Sequence, residues 1–192
     1  MKKILLLSLL LIAQASYASS DIQKLEAECA GGDGRYCATL GTIYYEGEGV
    51  TQSFQKAREY LERGCSLNDG PSCAMLGVLY GEGQGVRQSY QKASKYYEKG
   101  CSLGFGNSCA ALGGLYGLGL GVKQSYKKAG EYHEKGCSLD GYLSCYLLGS
   151  LYEYGQGVKQ SYQKAKEYYG KACDLGDEDG CSEYAKLNKA AH

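Results

Sequence analysis

The chain has 192 residues, and its 21 basic and 21 acidic side chains balance to no net charge, so it lacks the cationic surplus that a nucleic-acid partner requires. Ten cysteines accompany only two histidines, and they pair as C-x7-C rather than as the short C-x2-4-C pairs of structural zinc sites, so no metal and no cofactor is expected. Twenty tyrosines without a tryptophan recur at fixed positions and read as packing residues, not as a base-stacking platform.

In chain order, the first stretch is MKKILLLSLLLIAQASYA, a two-lysine start, an apolar run from Ile4 to Ala13 and small residues at Ser16 and Ala18. It reads as a signal peptide, residues 1–18, cleaved after Ala18. The run is too short to cross a bilayer as a helix, and no cysteine follows the cut, so neither a membrane span nor a lipid anchor is expected. The remainder, 19–192, reads as one soluble exported domain.

That remainder is an array. Cys29, Cys65, Cys101, Cys137 and Cys173 form one ladder and Cys37, Cys73, Cys109, Cys145 and Cys181 another, each with a rung every 36 residues. A fixed period of this length marks a solenoid, whose units bury their apolar faces only against neighbours. Residues 21–29 read as an unpaired capping helix, about 33–172 as four helical hairpins, and 181–189 as a second capping helix. The prediction is about ten helices and no strands.

The hairpin follows from spacing within one repeat. Cys73, Leu76, Gly77 and Tyr80 stand at i, i+3, i+4 and i+7, and Ala93, Tyr96, Tyr97 and Gly100 repeat that interval, so each set marks one helical face. Between them Gly83-Gln84-Gly85-Val86 supplies a helix-ending turn, and Ser89 stands where an N-cap belongs. Gly41, Gly77, Gly113 and Gly149 inside the first helices each cost roughly 1 kcal/mol relative to alanine. Their expected return is close approach to Ala57, Ala93, Ala129 and Ala165 on the second helices.

Each C-x7-C pair brackets the turn between one hairpin and the next, a separation that a disulfide can bridge. In an exported chain the thiols oxidise. The expected bridges are Cys29 to Cys37, Cys65 to Cys73, Cys101 to Cys109, Cys137 to Cys145 and Cys173 to Cys181.

The pattern A-x-L-G-x-L-Y-x-x-G-x-G-V, present as AMLGVLYGEGQGV from Ala74 to Val86 and AALGGLYGLGLGV from Ala110 to Val122, resembles the Sel1-like repeat, a relative of the tetratricopeptide repeat. With S-Y-x-K-A-x-x-Y and a C-x7-C staple, the chain is similar to the Helicobacter cysteine-rich proteins. The resemblance implies an all-α fold, a right-handed α/α superhelix of 36-residue hairpins with one disulfide per repeat, exported to the periplasm or beyond the cell. Members are labelled β-lactamases or penicillin-binding proteins and are also regarded as interaction scaffolds secreted toward a host. The implied partners are a peptide, a host protein, a peptidoglycan-related ligand or a β-lactam, met by a monomer.

Two sets of residues are candidates for function. S-x-x-K occurs as Ser53/Lys56, Ser89/Lys92, Ser125/Lys128 and Ser161/Lys164, the spacing of a serine β-lactamase nucleophile and its amine. Four copies at one repeat position read instead as N-caps followed by solvated lysines, and the companion K-T-G motif is absent. The lone internal histidine, His133, occupies the position of Tyr97 and Tyr169 and reads as packing. The second set varies between repeats: Thr39, Met75, Ala111 and Leu147; Thr42, Val78, Gly114 and Ser150; and likewise Glu46, Glu82, Leu118 and Tyr154. In related superhelices the first helices line the concave surface, so these rows would form a groove for an extended peptide or small ligand.

Overall fold

The computed structural model describes residues 20–190; the expected signal peptide, residues 1–18, lies outside them. The described residues form ten helices and no strand. A single helix, α1 over residues 20–30, precedes four hairpins: α2 (Gly34–Glu46) with α3 (Phe54–Ser66), α4 (Gly70–Glu82) with α5 (Tyr90–Ser102), α6 (Gly106–Leu118) with α7 (Tyr126–Ser138), and α8 (Tyr142–Tyr154) with α9 (Tyr162–Asp174). The last helix, α10, is Glu178–Ala190 and starts before Cys181, because the Asp177 carboxylate accepts from the Gly180 N–H at 2.9 Å. Likewise α4 opens at Gly70, ahead of Cys73, behind an Asp69 cap.

The punctuation is the same in every hairpin. Gly83 ends α4 at φ 76°, and Gly85 follows at φ 65°, a region open to glycine at no steric cost. The turn is then tied down by Gln88, whose side-chain amide donates to the Gly81 carbonyl at 2.7 Å. Gln52, Gln124 and Gln160 do the same in the other repeats, satisfying carbonyls left open at a helix end. Ser53, Ser89, Ser125 and Ser161 cap the second helices, each Oγ accepting the backbone N–H three residues on at 3.3 Å.

Within a hairpin the two helices pack along their length, and successive first helices α2, α4, α6 and α8 also touch one another. The first helices therefore lie along the inner curve of the solenoid. Cations bind the repeats together on the other layer: Arg63 donates to the Ala30 carbonyl at 2.9 Å, Lys99 to Cys65 at 2.6 Å and Lys171 to Cys137 at 2.8 Å. Each places positive charge at the C-terminal end of an earlier helix, α1, α3 or α7, where the helix dipole favours it.

All five nearest-neighbour cysteine pairs are bridged, with Cα separations of 4.5 to 4.9 Å. The folded chain thus belongs to an oxidising compartment. No helix among the described residues is long and apolar enough to cross a membrane.

The first-helix glycines have a different reason from the one expected. A Cβ on Gly77 would stand 2.4 Å from the Tyr97 ring, and one on Gly113 2.6 Å from His133; at Gly41 and Gly149 the equivalent second-helix residues, Leu61 and Tyr169, fill the same space. The helical interior glycine makes room first for a large side chain of the second helix, and at Gly41 the Ala57 carbonyl oxygen also lies 3.4 Å from the place of a Cβ. His133 is accordingly buried, with Nδ1 lacking a hydrogen-bond partner.

Burial pushes the His133 imidazole down to about 4 from an ordinary 6.5. On acidification the unfolded chain takes up the proton first, so this contribution is complete above 6.5 and is lost as pH falls toward 4, by roughly 3 kcal/mol in all. His133→Tyr, which installs the residue of the flanking repeats, is expected to shrink the difference between thermal melts at pH 7 and pH 4.5. An unchanged difference would show that another group carries the acid lability.

Candidate binding surface on the inner face

The groove candidates are all at least partly exposed on the first helices, but they do not form one continuous site, and Glu46, Glu82, Leu118 and Tyr154 stand at the ends of those helices. Met75, Val78 and Ala111 line a cavity of about 380 Å³ between α4 and α6, together with Pro71, Ala74, Tyr97, Phe105 and Asn107. Thr39, Thr42, Gly114, Leu147 and Ser150 lie along the same layer outside it. Gly114 has nothing within 4 Å of where a Cβ would stand, so the inner face stays open next to the cavity.

The cavity is built where the chain departs from a rule that three of the five inter-repeat turns keep. Equivalent positions in successive inter-repeat turns hold Asp33, Asp69, Phe105, Gly141 and Asp177. Asp33 and Asp69 cap α2 and α4 through their carboxylates, and Asp69 also accepts from the Ser72 hydroxyl at 2.6 Å. Phe105 caps nothing, nor does Gly141: α6 and α8 have no side-chain cap, and the buried Ser108 and Ser144 hydroxyls are left without a partner. Loss of such a cap costs about 1 kcal/mol. What the ring does instead is wall the cavity, its Cβ facing the place where Gly70 has no side chain.

Chemically the lining is mostly apolar, and the residues in it with polar side-chain groups are Asn107 and Tyr97. Burial, and after it the charge of Glu82, pushes the Tyr97 phenol up to about 12, so at neutral pH it remains a hydrogen-bond donor. With no acid, base or nucleophile among its lining residues, the cavity is suited to holding an apolar group.

The S-x-x-K residues lie elsewhere, at the turn joining each first helix to its second. Every serine is occupied as a cap, and every lysine lies over a tyrosine: Lys56 over Tyr44, Lys92 over Tyr80, Lys128 over Tyr116 and Lys164 over Tyr152, at 4.8 to 4.9 Å from the ring centroid. Those tyrosines stack on Tyr60, Tyr96, Tyr132 and Tyr168 at 5.4 to 5.6 Å. Capping and cation–π contact together account for the recurrence of the tetrapeptide. Accordingly Ser89→Asp, which keeps a cap but removes the hydroxyl, is expected to leave the unfolding free energy within about 0.5 kcal/mol of the parent. No penicilloyl adduct is expected on any of the four serines by mass spectrometry of the parent protein after exposure to penicillin; an adduct there would assign these residues to catalysis.

The Sel1 repeat profile matches residues 36–69, 70–105, 106–141 and 143–177, four consecutive units that make up most of the chain. The chain belongs to the Sel1 repeat family. Among solved Sel1 repeat structures it is similar to Helicobacter pylori cysteine-rich protein B, at 34% identity over 67% of this chain and 92% of that one, with a TM-score of 0.56. It is also similar to a protective antigen of uropathogenic Escherichia coli that displays an SLR fold, at 25% identity over 88% of this chain with a TM-score of 0.82. This chain spans only 36% of that antigen's length. A Sel1 repeat protein from Oxalobacter formigenes shares the fold at 20% identity, over 89% of this chain and 68% of that one, with a TM-score of 0.79. No curated protein sequence matches the chain.

Within this Sel1 array, comparison of repeats along the sequence finds the varying first-helix rows but passes over Phe105, Pro71, Asn107 and Tyr97. A signal for Phe105 was present: an aromatic residue stands where three of five equivalent turns carry a capping aspartate. Tyr97 gave none, since Tyr169 shares its position and faces a glycine in the same way.

Proposed function

We propose that the protein is an exported binding module whose inner face captures an extended segment of a protein partner, seating one apolar side chain between α4 and α6. Protein interaction is the usual work of Sel1 repeats, and the disulfides suit a secreted or periplasmic setting. The observation that carries the reading is Phe105: at a position where aspartate caps three of the five equivalent turns, the chain places an aromatic ring that gives up a helix cap and lines a cavity of about 380 Å³. Departures from local rules of this kind are expected where function, not folding, selects the residue. A peptidoglycan fragment or other sugar-rich ligand fits less well, since it needs several hydrogen-bonding groups and the lining supplies two.

Selection of peptides from a random display library against the oxidised protein tests this. Enriched sequences are expected to share one large apolar residue, and Met75→Glu is expected to weaken their capture at least tenfold while leaving the helical circular dichroism unchanged. Enrichment without such a residue, or capture indifferent to Met75→Glu, would remove the inner face from the function.

A further inference from the structure

The edge of the solenoid formed by the turns from first to second helices changes character along the array. The equivalent twelve-residue stretches 46–57, 82–93, 118–129 and 154–165 carry formal charges of −1, +1, +3 and +2. The last two contain Lys123, Lys127, Lys128, Lys159 and Lys164 and no acidic residue. At the same repeats the apolar content of the edge rises. Glu46 and Glu82 close the first two first helices, whereas Leu118 and Tyr154 close the next two, at 71% and 66% exposure. Tyr126 and Tyr162, which open the paired second helices, are exposed as well.

These residues form one surface. The Gly157 backbone packs so closely on the start of α7 that a Cβ there would lie 2.3 Å from the Tyr126 carbonyl carbon and 2.5 Å from the Lys127 nitrogen. The fourth turn therefore rests directly on the third. Between lysines the edge is indented: Lys123 and Lys128 flank a hollow of about 480 Å³ floored by Tyr116, and Lys159 and Lys164 flank one of about 620 Å³ floored by Tyr152. Glu153, the nearest acid before the fourth turn, is engaged by the Tyr169 hydroxyl at 2.7 Å.

We propose that this edge of the third and fourth repeats docks on an anionic phospholipid membrane, with the lysines meeting headgroup phosphates and Leu118, Tyr126, Tyr154 and Tyr162 entering the interface. Two changes in the same two repeats, acid to apolar and neutral to cationic, match a surface that is at once negative and apolar beneath. Tyrosine suits that boundary, because its ring is apolar and its hydroxyl can stay wet. A soluble polyanion would select the lysines alone and leave an exposed leucine without a role.

Cosedimentation of the full oxidised protein with vesicles tests the proposal. Binding is expected to vesicles of phosphatidylglycerol mixed with phosphatidylcholine and not to phosphatidylcholine alone, and to fall as salt rises from about 50 to about 500 mM. The double variant Lys123→Glu/Lys159→Glu should lose at least about tenfold in partitioning, and Leu118→Ser/Tyr154→Ser, which leaves the charge intact, should also lose severalfold. Lys95→Glu, a charge change away from this edge, should bind as the parent does, and circular dichroism reports that each variant is folded. Failure of the parent to bind anionic vesicles at low salt would overturn the proposal. So would binding unmoved by the edge variants, or binding to dextran sulfate and vesicles alike with no effect of Leu118→Ser/Tyr154→Ser.

Discussion

Reduction of the five disulfides is expected to lower the melting temperature by on the order of 15 to 20 °C. Each bridge closes a loop with a sequence separation of 8, and loop entropy assigns such a bridge about 2.6 kcal/mol. If only half of that adds across the array, about 6 kcal/mol is lost, and for a chain of this size each kcal/mol moves the midpoint by roughly 2 to 4 °C. Little stands in reserve to offset this. The helices of the four hairpins and the last helix are 13 residues each, a length at which an isolated helix is marginal in water, and several carry an interior glycine. Thermal melts followed by circular dichroism, with and without reductant, check the expectation. A reduced protein that melts with the oxidised one would mean that packing between repeats, not the staples, sustains the array.

The second large effect concerns two glycines a few residues apart. Gly121 has φ 69°, and a Cβ there would lie 2.3 Å from the backbone of Tyr90, at the seam where the third turn rests on the second hairpin. Gly121→Ala incurs left-handed strain of about 1 to 2 kcal/mol and an overpacking cost of a further 1 to 3 kcal/mol against backbone that cannot yield. Gly114→Ala should act in the opposite sense. It lies within α6 with open space beside it, so alanine should stabilise the protein by about 1 kcal/mol. Urea titrations of the two variants read both signs, and a Gly121→Ala protein as stable as the parent would show that the turns do not form the seam described.

Most of the fold was legible in the sequence because a repeat states its rules several times. The cysteine ladder gave the period, the i, i+3, i+4, i+7 faces gave two helices per unit, and the serine and glycine positions gave their ends. The glycines at Gly77 and Gly113 were read against the wrong partner. Sequence marks that a small residue is needed but not which neighbour fills the space, and Tyr97 and His133 reach across from a point one helical turn beyond the alanines.

The candidate site was half legible. Met75, Val78 and Ala111 emerged from variation between units, which is a property of the sequence. Their union with Pro71, Asn107 and Phe105 depends on how one hairpin sits on the next. The S-x-x-K serines and lysines show the converse: a spacing that suggests chemistry is taken up by a helix cap and by a tyrosine ring at 4.8 Å. Among the four copies only the environment could decide, and it is the same in all of them.

Two methionines occur in the sequence, Met1 and Met75, so the Met75 methyl group reports on the inner-face cavity with little overlap. The most direct measurement is a methyl NMR titration of oxidised, methionine-labelled protein with a peptide selected for binding, run in parallel on Phe105→Asp. The account predicts that the Met75 resonance shifts saturably in the parent, and that Phe105→Asp, which restores the cap and should stabilise α6 by about 1 kcal/mol, binds at least tenfold more weakly. A Met75 resonance unmoved at saturating peptide, or full affinity in Phe105→Asp, would contradict it.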